Sequence, residues 1–244
     1  MANHYPLKSF QALSETAILF CWAEIIDPQL NQCIHRCKQA IANKFTDIIV
    51  DIVCSYSSMI VHLQPPTTAN TALLEDMVRH IKKSIELPSE ANKVQSKLHH
   101  IDVYYGYDAG WDLAYMEQQC QLTLQDIIAR HTAPTYQVFA NGFMPGFAYM
   151  GIIDQQLILP RHSTPRTSIP KGAVAIAEQQ TAIYPKASPG GWLILGQTAM
   201  SLITADELSP TPVLQAGDQV KFNAISEQQF VQQGGSVMTN NDAW

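Results

Sequence analysis

Arg161, Arg166 and Lys171 stand close together in P-R-H-S-T-P-R-T-S-I-P-K-G, on a stretch stiffened by Pro165 and Pro170. A guanidinium offers a planar fork to a carboxylate or phosphate and an ammonium adds a mobile point charge, so these positions suit an anionic ligand. Solvated loop charges or contacts to a partner chain are the alternative. Between residues 141 and 200 the charged side chains are Arg161, Arg166, Lys171 and Lys186 against Asp154 and Glu178, a locally cationic segment in a chain of net charge −6. Just before it, Gly142, Phe143, Pro145, Gly146, Phe147 and Tyr149 fall in N-G-F-M-P-G-F-A-Y-M-G. There glycine permits close backbone approach, proline limits the entropy lost on binding, and the aromatic rings, with Tyr184 and Trp192, line a pocket or form core. His131 and His162 could carry protons near neutral pH, although His131 at a helix end also suits the helix dipole. The chain has no G-x-S-x-G elbow, and its glycines match neither G-x-G-x-x-G nor a P-loop.

The elements that must position these residues differ between the two halves of the 244-residue chain. All 12 glycines lie between Gly106 and Gly235, and nine of the 14 prolines lie from Pro134 onward, which places a boundary near residues 87–100. Before it, the patterning predicts a strand around Ala17–Ala23, a helix with Leu30, Cys33, Ile34, Cys37 and Ile41 on its apolar face, strands at Asp47–Val53 and Ser58–Leu63, and a helix over Thr71–Ile85. With Ile101–Tyr105 as a last strand, the order is that of a ferredoxin-like split βαβ unit. After the boundary come helices at Asp112–Cys120 and Leu124–His131, the second opened by a Thr123/Asp126 capping pattern. Short apolar runs at Tyr136–Phe139, Ala173–Ala177, Trp192–Leu195 and Gln219–Phe222, punctuated by Gly and Pro, then indicate an antiparallel barrel or sandwich. The expected division is a small α+β domain over 1–90, a barrel domain over 100–225 and a polar tail over 226–244.

Composition excludes several classes. Fifteen Lys+Arg against 21 Asp+Glu without a basic block give no footprint for nucleic acid, and no apolar run is long enough for a membrane helix. Five cysteines without framework spacing are expected as reduced thiols, and Cys33-x-His35-x-Cys37 lacks a second ligand pair for structural zinc. The first residues lack the apolar core of a secretory signal, so the expected location is the cytoplasm.

In order along the chain, Y-Y-G-Y-D…W-D-L, R-H-T-A-P-T-Y-Q-V, G-F-M-P-G-F-A-Y-M-G, P-R-H-S-T-P-R-T-S-I-P-K-G, Q-T-A-I-Y-P, S-P-G-G-W-L-I-L-G and A-G-D-Q-V-K-F span about residues 103–222. This series resembles the 5-oxoprolinase B-subunit (PxpB) family, with its KipI kinase-inhibitor relatives and allophanate hydrolase subunit 1 type domains. The resemblance implies an α+β chain in which a small ferredoxin-like α/β domain precedes a cyclophilin-like antiparallel β-barrel. It also implies one component of an ATP-dependent enzyme, inactive alone, that hydrolyses 5-oxo-L-proline to L-glutamate. The partners implied are the 5-oxoprolinase C-subunit, in direct contact, and the A-subunit, with ATP and its Mg used by the complex. By the same likeness Arg161, Arg166 and Lys171 lie near an anionic substrate or phosphate, Gly142, Phe143, Pro145, Gly146 and Phe147 form the adjoining loop, and His131 is a further catalytic candidate. The alternative is a KipI-like inhibitor of a sensor histidine kinase. The chain departs from the family's glycine-rich pattern at Ala173, Ala175, Glu178 and Ala182, and has Tyr107 at a position that is commonly small.

Overall fold

The computed structural model describes residues 5–86, 96–204 and 211–237. The chain divides into two compact units, Met1–Gln95 and Ser96–Trp244. Most of the boundary expected at 87–100 falls on residues 87–95, outside the described residues.

In the first unit, β1 (Ser9–Ser14), β2 (Ala17–Cys21), α1 (Pro28–Lys44), β3 (Ile49–Cys54), β4 (Ser58–Leu63) and α2 (Thr71–Glu86) follow in order. Asp27 caps α1 by accepting from the backbone N–H groups of Gln29 and Leu30, with Pro28 in the first turn, where a missing N–H costs nothing. The helix stripe Leu30, Cys33, Ile34, Cys37 and Ile41 is buried with Ile18, Phe20, Met59 and Val61 of the sheet and Met77, Val78 and Ile81 of α2. His35, which lies between the stripe residues Ile34 and Cys37, is also buried. The sheet order is β1-β2-β4-β3 and every pair is antiparallel. This corrects the split βαβ order: the outer strand beside β2 is β1, an N-terminal strand whose six residues are all exposed and therefore show no apolar alternation.

The strand expected to complete that sheet belongs to the second unit. There β5 (Leu98–Tyr104), α3 (Leu113–Cys120), α4 (Leu124–Thr132), β6 (Tyr136–Asn141), β7 (Ala148–Gly151), β8 (Arg166–Ile169), β9 (Ala173–Ala177), β10 (Gln180–Ile183), β11 (Ser188–Gly190), β12 (Leu193–Gln197), β13 (Gln219–Ile225) and α5 (Glu227–Gln232) follow in order. Seven strands close a barrel in the order β10-β7-β6-β13-β5-β12-β9, and β8 and β11 form a separate ribbon. The barrel is not wholly antiparallel, because β5 and β13 run parallel from Leu98/Gln219 to Tyr104/Ile225. Buried Asp218 holds their starts together, accepting from the backbone N–H groups of Lys97 and Gln215 and from His99 Nε2, each at 3.0 Å. The capping box of Thr123 and Asp126 opens α4. The stretch expected as a polar tail begins with α5, capped by Ser226 and Gln229, whose Phe230 is buried and stacks on Tyr104 at 5.7 Å. The remainder, 238–244, lies outside the described residues.

Strand β9 is buried along its whole length. Val174 and Ile176 join the barrel core with Val103, Val138 and Leu195, whereas Ala173 and Ala175 join a second cluster with Ala182, Phe147, Ile169, Tyr184 and Ile194. Alternation across a pleated strand thus separates the barrel interior from the floor of a surface cleft. No helix among the described residues is long and apolar enough to cross a membrane.

Candidate functional site

The cleft, about 320 Å³, is lined by Phe143, Phe147, Tyr149, Tyr184 and Trp192, with Arg161 as its cation and Pro165, Pro189, Gly190 and Gly191 completing its rim. The rings meet mainly edge to face: Phe147 lies 4.9 Å from Tyr149, 5.4 Å from Tyr184 and 5.8 Å from Trp192. Such edge-to-face contacts fix ring orientation beyond what area burial alone does. Ala173, Ala175 and Ala182 lie beneath this cluster, where larger side chains would displace the rings. Burial pushes the Tyr184 hydroxyl up to about 12, against a smaller opposing effect of the Trp192 backbone N–H, so Tyr184 is a neutral phenol at physiological pH.

The loop between β6 and β7 forms one wall. Phe143 has φ of 66° and is 61% exposed, an uncommon backbone conformation for an aromatic residue, and its ring stands 5.2 Å from Phe147. Gly146 has φ of 84°, and a Cβ there would meet Ile203 Cγ1 at 2.8 Å and the Leu202 carbonyl at 3.0 Å, so glycine is required for the loop to lie down. Gly190 on the opposite rim passes so near the Tyr184 hydroxyl that a Cβ would collide with it.

Behind the cleft, Arg166 is 2% exposed and forms a two-pronged ion pair with buried Asp112, Nη1 to Oδ2 at 2.9 Å and Nη2 to Oδ1 at 2.7 Å. Its guanidinium also lies over the Trp111 ring, 5.7 Å from the centroid. His162 Nε2 donates to Asp112 Oδ1 at 2.9 Å, and the Ile194 N–H donates to Oδ2 at 2.7 Å. Arg166 is therefore neutralised below the surface, and among the cations nominated from sequence only Arg161 lines the cleft. Lys171 is exposed on the turn between β8 and β9 and is absent from the lining; its carbonyl accepts from Gln197 Nε2.

His131 is removed from the cleft altogether. It is fully buried, stacked on Phe222 at 4.7 Å, with Nδ1 2.8 Å from the Tyr105 hydroxyl and Nε2 3.0 Å from Thr181 Oγ1. The Thr181 hydroxyl donates to the Ala175 carbonyl, so Nε2 carries the ring proton and Nδ1 accepts from Tyr105. Burial pushes this histidine down to about 3, so it is neutral and structural. Sequence reasoning passed over Asp112: its one signal was an acid between Trp111 and Leu113 that spacing ties to no partner, because its cations lie about fifty residues away. Among the described residues no group of three His, Cys, Asp or Glu side chains could hold a metal ion.

Residues 8–213 match the family described as carboxyltransferase domain, subdomain C and D. The 5-oxoprolinase B-subunit of Bacillus subtilis (strain 168) is 31% identical over 229 residues, covering 90% of this chain and 94% of the relative. This chain belongs to the 5-oxoprolinase B-subunit family of carboxyltransferase-domain proteins. The Escherichia coli O157:H7 protein of the same name is 31% identical, covering 86% of this chain and 93% of the relative. The Haemophilus influenzae family member is 45% identical over 122 residues, covering 50% of this chain and 57% of the relative. Among solved structures, TTHA0988 superposes with a TM-score of 0.72 at 27% identity, covering 86% of this chain, which spans only 40% of that longer protein. The Kluyveromyces lactis urea carboxylase shares the fold at 18% identity, with a TM-score of 0.72 over 94% of this chain and 24% of that one. Strands β9 and β10 carry Ala173, Ala175 and Ala182 on the side that faces the cleft rings. The alanines here keep the cleft floor small, and Glu178, between the two strands, holds a φ of 51° that glycine adopts without strain.

Proposed function

We propose that the chain is the B-subunit of an ATP-dependent 5-oxoprolinase and that its barrel cleft receives 5-oxo-L-proline. The observation that carries this reading is a small aromatic-walled cleft with a single lining cation, Arg161, in a chain whose full-length relatives bear the 5-oxoprolinase B-subunit name. A five-membered lactam with one carboxylate matches that pairing: the ring would lie against Phe147, Tyr184 and Trp192, and the carboxylate would meet the guanidinium. In the overall reaction water adds to the lactam carbonyl and the ring C–N bond breaks, leaving the amine and second carboxylate of L-glutamate. The lining has one cation and no acid, a donor set that does not fit a triphosphate with its Mg. ATP use belongs in this reading to the assembled complex, outside the cleft, with the C-subunit as direct partner and the A-subunit completing the enzyme in the cytoplasm.

The test is ATP-dependent release of L-glutamate from 5-oxo-L-proline by the chain alone, by the A- and C-subunits without it, and by all three. Activity is expected only in the complete mixture, and Arg161→Ala is expected to raise KM about 10- to 100-fold, the range set by a hydrogen bond to a charged group. Undiminished release without this chain would overturn the proposal. The kinase-inhibitor reading draws on exposed Phe143 instead, and predicts inhibition that survives Arg161→Ala but not Phe143→Ala.

A further inference from the structure

We infer that Asp112 is the positioning residue of the cleft, acting through His162 and Ile194 to hold Arg161 opposite the aromatic wall. This rests on the cleft being the 5-oxoproline site. Four donors converge on this one carboxylate from three segments: both Arg166 nitrogens at the start of β8, His162 in the loop before it, and the Ile194 N–H in β12. Each segment adjoins the cleft. Arg161 directly precedes His162, Pro165 directly precedes Arg166, and Gly191 and Trp192 lead into β12. The His162 backbone N–H also donates to the Gly191 carbonyl at 2.7 Å, so the two rims are joined to each other as well as to Asp112. Tyr115 stands beside the His162 ring at 6.2 Å. Arg161 itself is exposed, and a long side chain of that kind reaches a carboxylate with useful affinity only if its backbone is already fixed. A buried carboxylate whose lone pairs are taken by the flanking loop and strand supplies that fixation, while Arg166 supplies the counter-charge that lets it stay buried.

Asp112 variants leave Arg166 without its counter-charge and can fail to fold, so the decisive variant is His162→Ala, which cuts the loop tie and leaves the ion pair intact. In the complete three-component mixture His162→Ala is expected to raise KM for 5-oxoproline about 5- to 10-fold with kcat within about twofold, while His162→Gln, whose amide can donate to Asp112, recovers most of the loss. In an Arg161→Ala background, His162→Ala is expected to add nothing, because its effect passes through Arg161. An equal rise in KM in both backgrounds, or no rise in either, overturns the inference. If the complete mixture does not hydrolyse 5-oxoproline, the functional reading falls and the tie is judged by amide hydrogen exchange on the full chain. His162→Ala must then accelerate exchange across residues 161–164 and at 191–192, and unchanged exchange there overturns it.

Discussion

In the first unit the β-sheet buries Ile18, Phe20, Met59 and Val61 on the face that packs with α1 and α2, so its helices and sheet share one core. In the second, β9 and β10 bury both faces, one inside the barrel and one beneath the cleft aromatics. The first unit is built without glycine, turning on Asp27, Asn70 and serine-rich loops, whereas the second places glycine where backbone must pass an aromatic hydroxyl or lie flat against a neighbouring loop. A binding site needs a floor as well as walls, and a strand buried on both faces supplies it. The buried histidines repeat the contrast. His131 in the barrel has partners at both ring nitrogens, while His35 in α1 is buried with Nε2 lacking a hydrogen-bond partner among the described residues.

The largest effect that could break this comparison is at Asp112. If the two-sided layer depends on that carboxylate, Asp112→Ala leaves a guanidinium buried without its counter-charge and costs about 3–5 kcal/mol. Urea denaturation followed by circular dichroism measures it, and a loss below about 1 kcal/mol would mean that Arg166 finds water in the variant. Arg161→Ala is the matched control. Its side chain is exposed, so stability should stay within about 0.5 kcal/mol even as substrate KM rises.

The histidines give the next contrast. His131→Leu strips partners from the Tyr105 and Thr181 hydroxyls in the barrel interior, an expected loss of about 2–3 kcal/mol. His35→Leu exchanges a buried imidazole with an unmatched nitrogen for an apolar side chain and should be neutral or stabilising by the same assay. Equal losses at both sites would remove the distinction between a satisfied and an unsatisfied core histidine.

Most of the elements were legible in the sequence, and the reason is periodicity. The spacing of Leu30, Cys33, Ile34, Cys37 and Ile41, and of Met77, Val78 and Ile81, reports one buried face directly. Strand β1 was not legible because it buries nothing, and the parallel partner of β5 was not because an apolar run identifies a strand without saying which strand it joins. In the cleft, Phe143, Phe147, Tyr149 and Arg161 could be nominated by type and neighbourhood. Arg166 could not be separated from Arg161 by sequence: two arginines in one loop look alike until Asp112, about fifty residues earlier, takes one of them below the surface. The α4 pattern likewise could not reveal that His131 lies between Tyr105 and Thr181.

Acidification should expose both histidines at once. Burial pushes His131 down to about 3 and His35 down to about 4, the latter with help from the charge of Lys38, while the unfolded chain titrates near the ordinary 6.5. Between the folded and unfolded values the unfolded state holds more protons, so stability rises with pH from about 3 or 4 to about 6.5 and is lost as pH falls through that window. Each group should contribute about 1 kcal/mol between pH 6 and pH 5. His35→Leu and His131→Leu should each flatten the slope of stability against pH by that amount, and an unchanged slope in either would show that the histidine gains solvent before global unfolding.

The smallest effect tests whether the glycine contrast between the units is about backbone conformation. Glu178 connects β9 to β10 with φ of 51°, its N–H donating to the Leu159 carbonyl at 2.8 Å and its side chain exposed. Holding a residue with a Cβ in the left-handed region costs about 1–2 kcal/mol, of which the extra freedom of an unfolded glycine takes back about 0.5–1. Glu178→Gly should therefore stabilise the chain by about 0.5 kcal/mol and raise Tm by about 1–2 °C. A fall in Tm would assign the stability of this turn to the carboxylate, and the second unit's use of glycine at its other turns would need a cause other than backbone strain.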